Sequence, residues 1–221
     1  MMYRHQFSCA SPCDQLPGKI VCVGRNYAAH AAELDNPVPE EPLLFIKPAT
    51  AAVAMAEPIH LPRGRGGCHF EGELALLIGE PLSGANPADV PGAIAGLGLA
   101  LDLTLRELQG QLKKQGHPWE KAKGFDGACP LSPFVKLDWL PDWDNLTYSL
   151  WLNGELRQRG KTGHMLTPIL DLVAYISSHF TLLPGDVVLT GTPAGVGELL
   201  SGDRLVLQLE DDWLRVETQV A

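Results

Sequence analysis

The sequence predicts a mainly β domain of the α+β class, with mixed strand pairing and a few short helices. Several apolar runs of strand length are separated by segments rich in glycine and proline. The strands do not alternate regularly with helices, so a doubly wound parallel sheet is disfavoured. No internal repeat or clear linker divides the 221 residues, which are enough for one large domain. We therefore expect an irregular N-terminal segment over residues 1–18 and a single domain over residues 19–221.

The predicted strands are short apolar runs that end at turn-forming residues. An Asn153-Gly154 pair between two such runs favours a type I′ turn, and therefore a hairpin over residues 148–158. The strand over residues 69–79 differs from the others, because it begins acidic and ends fully apolar. In chain order the remaining runs are 19–24, 43–47, 93–101, 187–190, 204–209 and 214–220.

Three helices are predicted between these strands. Residues 28–34 are rich in alanine, the strongest helix former. A second helix runs from about residue 105 to residue 114, with Thr104 as its N-cap. The third helix, over residues 168–178, has the apolar spacing of an amphipathic helix.

The composition excludes several classes of partner. The chain has 17 Lys and Arg against 26 Asp and Glu, for a formal charge of -9, and it contains no basic run. We therefore expect neither a nucleic-acid partner nor a membrane partner. The five cysteines are odd in number and widely spaced, as is typical of reduced thiols in a cytosolic protein. The sequence shows no apolar core of a signal peptide and no transit segment, so we expect a cytoplasmic protein.

Carboxylate side chains are predicted at the ends of two buried strands. Alternate side chains of a strand share a face, so Glu71 and Glu73 project side by side, with His69 on the same face. Carboxylates that lose hydration need a positive charge, and Asp102 at the end of strand 93–101 would add a third oxygen ligand. Such ligands suit Mg²⁺, Mn²⁺ or Ca²⁺ better than zinc. The alternative is that the glutamates are solvated and that Asp102 caps the following helix.

Other residues could carry proton transfer. His30 and Glu33 are spaced i, i+3 on a helix, and a carboxylate beside an imidazole suits a general base. Lys123 could stabilise an oxyanion near a metal. Residues 190–197, with sequence TGTPAGVG, could offer N–H groups and a hydroxyl to a carboxylate. The alternatives are a surface ion pair, a surface lysine and an ordinary loop, respectively.

Taken together, these segments resemble the fumarylacetoacetate hydrolase superfamily, and within it the short acylpyruvate hydrolase and oxaloacetate decarboxylase branch. The order and spacing of the matching pieces make the resemblance specific. It covers nearly the whole chain from Lys19 onward. The matching pieces are VGRNYAAH at 23–30, FIKP at 45–48, HFEGEL at 69–74, LDLT at 101–104, KGFD at 123–126 and LTGTPAGVG at 189–197.

The resemblance implies a fold, a cofactor and a set of site residues. It implies a mixed β-roll, a homodimer, and Mg²⁺ or Mn²⁺ held by Glu71, Glu73 and Asp102. It implies that His30 and Glu33 form a catalytic dyad on a lid over the substrate, with Lys123 beside the metal. The residues that it places against the carboxylate or keto oxygens of the substrate are Arg25, Arg106, Gln109 and Thr192.

The activity implied by the resemblance is that of a metal-dependent enzyme for small 2-oxo acids, which works through an enolate. We expect an acylpyruvate hydrolase that breaks a C–C bond to release pyruvate, with possible oxaloacetate decarboxylase activity. The alternatives are an oxaloacetate keto–enol tautomerase, a 2-oxo-3-enoate isomerase or decarboxylase, and a non-catalytic ligand-binding protein. Gly124 and residues 161–165 depart from the usual pattern of the superfamily, which bears on substrate preference.

Overall fold

The computed structural model describes residues 3–9, 13–210 and 213–221, and most of its regular structure is β-strand. The α-helices are α1 Ala28–Glu33, α2 Arg106–Gln115, α3 Glu120–Lys123 and α4 Ile169–His179. In chain order the strands are β1 Ile20–Gly24, β2 Leu43–Lys47, β3 Ala52–Ala54, β4 Cys68–Phe70, β5 Gly72–Ile78, β6 Ile94–Leu101, β7 Thr104–Leu105, β8 Cys129–Leu131, β9 Val135–Lys136, β10 Thr147–Leu152, β11 Glu155–Lys161, β12 Val187–Leu189, β13 Gly197–Glu198, β14 Arg204–Leu209 and β15 Leu214–Gln219.

The central sheet has eight strands in the order β2-β1-β12-β5-β6-β8-β3, with β9 paired to β6. Strand β1 pairs in parallel with β12, and β3 pairs in parallel with β8, whereas β5 is antiparallel to both β12 and β6. Every residue of β5 is buried, as expected for an apolar strand that is covered on both faces. The sheet curls into a half-barrel, which confirms the prediction of a mainly β fold with mixed strand pairing.

A second sheet closes the core from the other side. Its four strands follow the order β11-β10-β14-β15, and β10 and β14 contact β5 and β6 of the central sheet. Strands β10 and β11 form the predicted hairpin. Both turn residues have positive φ angles, 52° at Asn153 and 86° at Gly154, as a type I′ turn requires.

The acidic segment is two strands rather than the one that was predicted over residues 69–79. Strand β4 belongs to a small sheet with the order β13-β4-β7, whereas β5 belongs to the central sheet. Glu71 lies between them, and its carbonyl accepts a hydrogen bond from the N–H of Asp102 at 2.8 Å. Close packing explains the glycine that follows, since a Cβ on Gly72 would lie 2.9 Å from Cδ1 of Leu150.

The predicted helices differ from the structure in two respects. Thr104 does not cap α2, because it belongs to β7 and its hydroxyl donates to the carbonyl of Asp102 at 3.1 Å. The one-turn helix α3 was not predicted, and it places Lys123 at its last position. Helices α1 and α4 lie within a residue of their predicted bounds.

Within the described residues, the longest helix is α4 with 11 residues, and no helix there is both long and apolar enough to cross a membrane. Cys13, Cys22, Cys68 and Cys129 carry free thiols, as predicted.

Candidate active site

Three carboxylates meet at one end of the long central strands. One oxygen of each of Glu71, Glu73 and Asp102 lies within 4.8 Å of the others. Asp102 directly follows β6, and the antiparallel register pairs Gly72 with Leu101, so the two strands deliver their carboxylates to the same point. The exposed fractions are 5%, 1% and 1%, so these carboxylates are buried rather than solvated.

Burial and mutual repulsion govern the charge of this carboxylate triad. Burial raises the pKa of Glu73 well above its ordinary range, and the nearby Asp102 and Glu71 raise it further. Burial also acts to raise the pKa of Glu71, but Lys123 and Arg106 hold it well below its usual range. The triad is therefore a place where added positive charge is favourable, and Glu73 is the carboxylate least compensated by the protein.

Among the residues that the structure describes, three cations contact the triad. The ammonium of Lys123 donates to Oε2 of Glu71 at 2.9 Å and to Oδ2 of Asp102 at 2.6 Å. The guanidinium of Arg106 donates to Oε1 of Glu71. Burial acts to lower the pKa of Lys123, but Asp102 and Glu71 raise it above its ordinary value, so Lys123 stays positively charged.

Lys47, the third cation, lies in the FIKP segment that resembles the superfamily, but no role was predicted for it. Its side chain is fully buried, and Nζ lies 2.7 Å from Oδ1 of Asp102. Its N–H groups donate to the carbonyls of Leu103 at 3.3 Å, of Ala128 at 3.0 Å, and of Lys123. Lys47 thus ties together the segments that carry Asp102 and Lys123. A lysine at the end of an otherwise apolar strand is the signal that could have revealed it.

The triad has the donor set that a divalent cation requires. Carboxylate oxygens are hard ligands, which suit Mg²⁺ and Mn²⁺. Oδ1 of Asp102 is buried beside the Lys47 ammonium, whose N–H groups donate to main-chain carbonyls, so this oxygen accepts no hydrogen bond from the described residues. These residues fit a divalent metal ion and could hold one.

His30 lies beside the triad and pairs with Glu33, whose own side chain is partly open to solvent. Nδ1 of His30 lies 3.2 Å from Oε2 of Glu33, and His30 is buried. The other oxygen of Glu33 accepts a hydrogen bond from the N–H of Gly195 at 2.9 Å. His30 is close enough to Glu71 to lower the pKa of that carboxyl. Helix α1 therefore holds an oriented imidazole beside the triad.

The glycine- and threonine-rich loop after β12 binds the chain's own carboxylates. The N–H of Gly191 donates to Oε2 of Glu73 at 2.7 Å. Gly191 has a φ of 93°, and a Cβ there would lie 2.8 Å from Cβ of Asn26, so the loop requires glycine at this position. The hydroxyl of Thr192 donates to the carbonyl of Gly72 at 2.9 Å and accepts from Nε2 of Gln158 at 2.8 Å.

The predicted site residues converge on one pocket. All of them except Glu33 line it, and Glu33 reaches it through His30. Nη1 of Arg106 donates to Oε1 of Gln109 at 3.0 Å on the same face of α2. The hydroxyl of Thr192 is hydrogen-bonded to the loop, and its role toward the substrate stays a prediction.

One wall of the pocket is aromatic and holds a lysine that was not predicted. The rings of Phe45 and Trp119 lie 5.9 Å apart between centroids. Nζ of Lys123 is 5.0 Å from the Phe45 ring, and Nζ of Lys113 is 5.0 Å from the Trp119 ring. Lys113 follows Arg106 by seven residues on α2, and this helical spacing is the signal that could have revealed it.

A buried acidic triad shares one pocket of the curled mixed sheet with a charged lysine and with His30, and this arrangement is typical of an enzyme with a metal centre. The chain belongs to the fumarylacetoacetate hydrolase family, as the resemblance implied. The family model described as fumarylacetoacetate (FAA) hydrolase C-terminal matches residues 19–220.

Similar proteins include enzymes named for oxaloacetate and for fumarylpyruvate. Oxaloacetate tautomerase YcgM of Escherichia coli K12 is 51% identical over 210 residues, which cover 95% of this chain and 96% of that protein. The mitochondrial oxaloacetate tautomerase FAHD1 of Bos taurus is 43% identical and covers 84% of each chain. The crystal structure of fumarylpyruvate hydrolase from Pseudomonas aeruginosa, in complex with Mn²⁺ and pyruvate, superposes with a TM-score of 0.91 at 32% identity. It covers 98% of this chain and 94% of that one.

Proposed function

We propose that this protein is a Mg²⁺- or Mn²⁺-dependent enzyme of small 2-oxo acids and that its principal reaction is the keto–enol tautomerisation of oxaloacetate. The observation that carries the proposal is the buried triad of Glu71, Glu73 and Asp102, with Lys123 and His30 in the same pocket. The relative with 51% identity, named an oxaloacetate tautomerase, supports this choice of substrate and reaction. The tautomerase was an alternative in the sequence reasoning, and the relatives favour it.

The residues fit the proton transfer that tautomerisation needs. A divalent ion held by the triad would supply Lewis-acid stabilisation of negative charge on the 2-oxo oxygen. In the direction of the ketone, the enol loses its hydroxyl proton to solvent as it binds, and C3 gains a proton. Nδ1 of His30 is engaged with Glu33, which leaves Nε2 as the ring atom that would deliver the proton to C3.

The remaining residues would hold the substrate and the charge in place. Glu33 would orient the imidazole and stabilise its protonated form, while its second oxygen is anchored by Gly195. The ammonium of Lys123 stays charged and would stabilise the enolate oxygen electrostatically. Arg106 and Gln109, which are hydrogen-bonded to each other, would bind carboxylate or keto oxygens of the substrate.

Acylpyruvate hydrolysis stays the second candidate reaction. The similarity to the fumarylpyruvate hydrolase structure favours it, and the same His30–Glu33 pair could take a proton from water that attacks the distal carbonyl. In that reaction water adds its oxygen to the carbonyl carbon and the C–C bond breaks. The products are a carboxylic acid and the enolate of pyruvate, which then takes up a proton.

The test is the rate at which the ultraviolet absorbance of the oxaloacetate enol disappears, with Mg²⁺ and after treatment with EDTA. We expect turnover with Mg²⁺, loss of turnover in EDTA, and a fall of about 100-fold or more in His30→Ala, because general acid–base catalysis contributes that much. His179→Ala, which changes an exposed histidine, is the matched control. Full activity of His30→Ala would refute the role of the imidazole, and pyruvate release from acetylpyruvate would favour the second candidate.

The expectations about partners and location stay predictions. The family resemblance favours a homodimer, which light scattering would record as a mass near twice the 23.9 kDa of the chain. The acidic balance disfavours a nucleic-acid or membrane partner, and the reduced thiols favour the cytoplasm.

A further inference from the structure

We propose that Lys113 and Arg25 form a subsite at the mouth of the pocket that binds the second carboxylate of a dicarboxylic 2-oxo acid. The inference rests on the proposed function. Binding of a second carboxylate at this subsite would make the enzyme prefer dianionic over monoanionic substrates.

The position of Lys113 follows from the geometry of α2. Arg106, Gln109 and Lys113 are spaced i, i+3 and i+7, so they share one face of the helix. All three line the pocket that contains the carboxylate triad. Arg106 contacts Glu71 of the triad, whereas Lys113 lies about two turns further along the helix. A substrate that reaches from the triad along this face would bring its far end to Lys113.

A lysine ammonium lies at each end of the aromatic wall formed by Phe45 and Trp119. Lys123 contacts the Phe45 ring at the end near the triad, and Lys113 contacts the Trp119 ring at the other end. Cation–π contact with Trp119 holds the Lys113 ammonium in place without neutralising its charge. The ring faces of Phe45 and Trp119 are apolar, so they suit the short carbon chain between two carboxylates.

The two cations of the proposed subsite lack the carboxylate partners that the other cations of the pocket have. Among the described residues, Lys113 forms no ion pair, and Arg25 donates only to neutral oxygens, to Oδ1 of Asn36 at 2.8 Å and to the carbonyl of Pro37 at 3.4 Å. By contrast, Arg106 is paired with Glu71. Unpaired like charges in one pocket repel each other, and an anion bound between them would relieve the repulsion.

Two further observations agree with this arrangement. Arg25, Arg106 and Lys113 line the same pocket, and burial, followed by the charges of Arg25 and Arg106, lowers the pKa of Lys113 to about 8. Arg25 has a φ of 61°, a left-handed conformation that is costly for a residue with a side chain. Such backbone strain is concentrated at functional sites, where surrounding structure maintains it.

The test compares oxaloacetate with 2-oxobutanoate, which has the same four-carbon chain but ends in a methyl group instead of a carboxylate. Binding to the Mn²⁺-loaded protein is measured by tryptophan fluorescence, since Trp119 lies beside the proposed subsite. We expect the wild type to bind oxaloacetate more tightly. Lys113→Met should weaken binding of oxaloacetate by about tenfold or more, because charge-assisted hydrogen bonds contribute that much, and should leave 2-oxobutanoate binding unchanged.

Two variants complete the design. Lys113→Arg keeps the charge and should retain the preference for oxaloacetate, whereas Lys114→Met removes the charge of an exposed neighbour and should change neither ligand. Equal binding of both ligands by the wild type, or equal weakening of both in Lys113→Met, would overturn the proposal. If the wild type binds oxaloacetate selectively but turns it over no faster than buffer, the proposed function fails while the subsite stands.

Discussion

Replacement of Lys47 by methionine tests whether the buried cation network holds the site together. Methionine keeps most of the volume and removes the charge that lies 2.7 Å from Asp102, together with hydrogen bonds to three main-chain carbonyls. Removal of one partner from a buried ion pair costs about 3–5 kcal/mol, because the other charge stays buried without compensation. For a chain of this size, that loss corresponds to a fall of roughly 6–20 °C in Tm.

The assay is urea unfolding followed by tryptophan fluorescence, in EDTA and at a fixed protein concentration, since any bound metal or partner chain would change the apparent stability. Lys114→Met is the control, because Lys114 is exposed and its replacement should change the free energy of unfolding by about 0.5 kcal/mol or less. A loss of less than about 1 kcal/mol in Lys47→Met would refute the reasoning, since it would mean that Asp102 does not depend on this ammonium.

Three further substitutions test local features of the fold. Gly195→Ala should lower stability by about 1–3 kcal/mol in chemical denaturation, because Gly195 has a φ of 103° and a Cβ there would lie 1.9 Å from the carbonyl oxygen of Arg157. Gly110→Ala should raise it by about 0.5–1 kcal/mol, because Gly110 lies inside a helix and nothing lies within 4 Å of the new Cβ. Burial lowers the pKa of His5 below 6.5, so the unfolded chain takes up the proton first and stability should fall as the pH drops below about 6.5. In His5→Phe the free energy of unfolding should depend less on pH below about 6.5, even though the variant also loses the hydrogen bond to Gly185. An unchanged pH dependence would contradict the proposal that His5 causes the fall in stability.

Most strands and the long helices could be predicted because their signals are local. The Asn153-Gly154 turn follows from the φ angles that these residues tolerate, and the buried strands β5 and β6 follow from continuous apolar runs. The break at Glu71 could not be predicted, because it depends on a neighbouring segment. Strand β4 leaves the central sheet to pair with β7 and β13, and hydrophobic patterning within one segment does not record such pairing.

In the candidate site, too, features set by local sequence could be predicted, and features set by contacts between distant segments could not. Glu71, Glu73 and Asp102 could be proposed as a group because they stand at the ends of buried strands, where unpaired charge is costly. Lys47 was assigned no role because its partners, Asp102 and three main-chain carbonyls, are distant in sequence and leave no local pattern. The role of Thr192 toward the substrate comes from resemblance and stays a prediction. The contacts of its hydroxyl with Gly72 and Gln158 could not be predicted, because they depend on how three separate segments pack.

Titration of the EDTA-treated protein with Mn²⁺, with the free ion followed by electron paramagnetic resonance, tests the metal centre most directly and does not depend on turnover. We predict one tight Mn²⁺ site per chain in the wild type and in Glu155→Gln, which changes an exposed carboxylate. We predict at least tenfold weaker binding in Glu73→Gln, which removes a buried carboxylate of the triad. Equal Mn²⁺ affinity in the wild type and Glu73→Gln would contradict the assignment of this triad as the metal site.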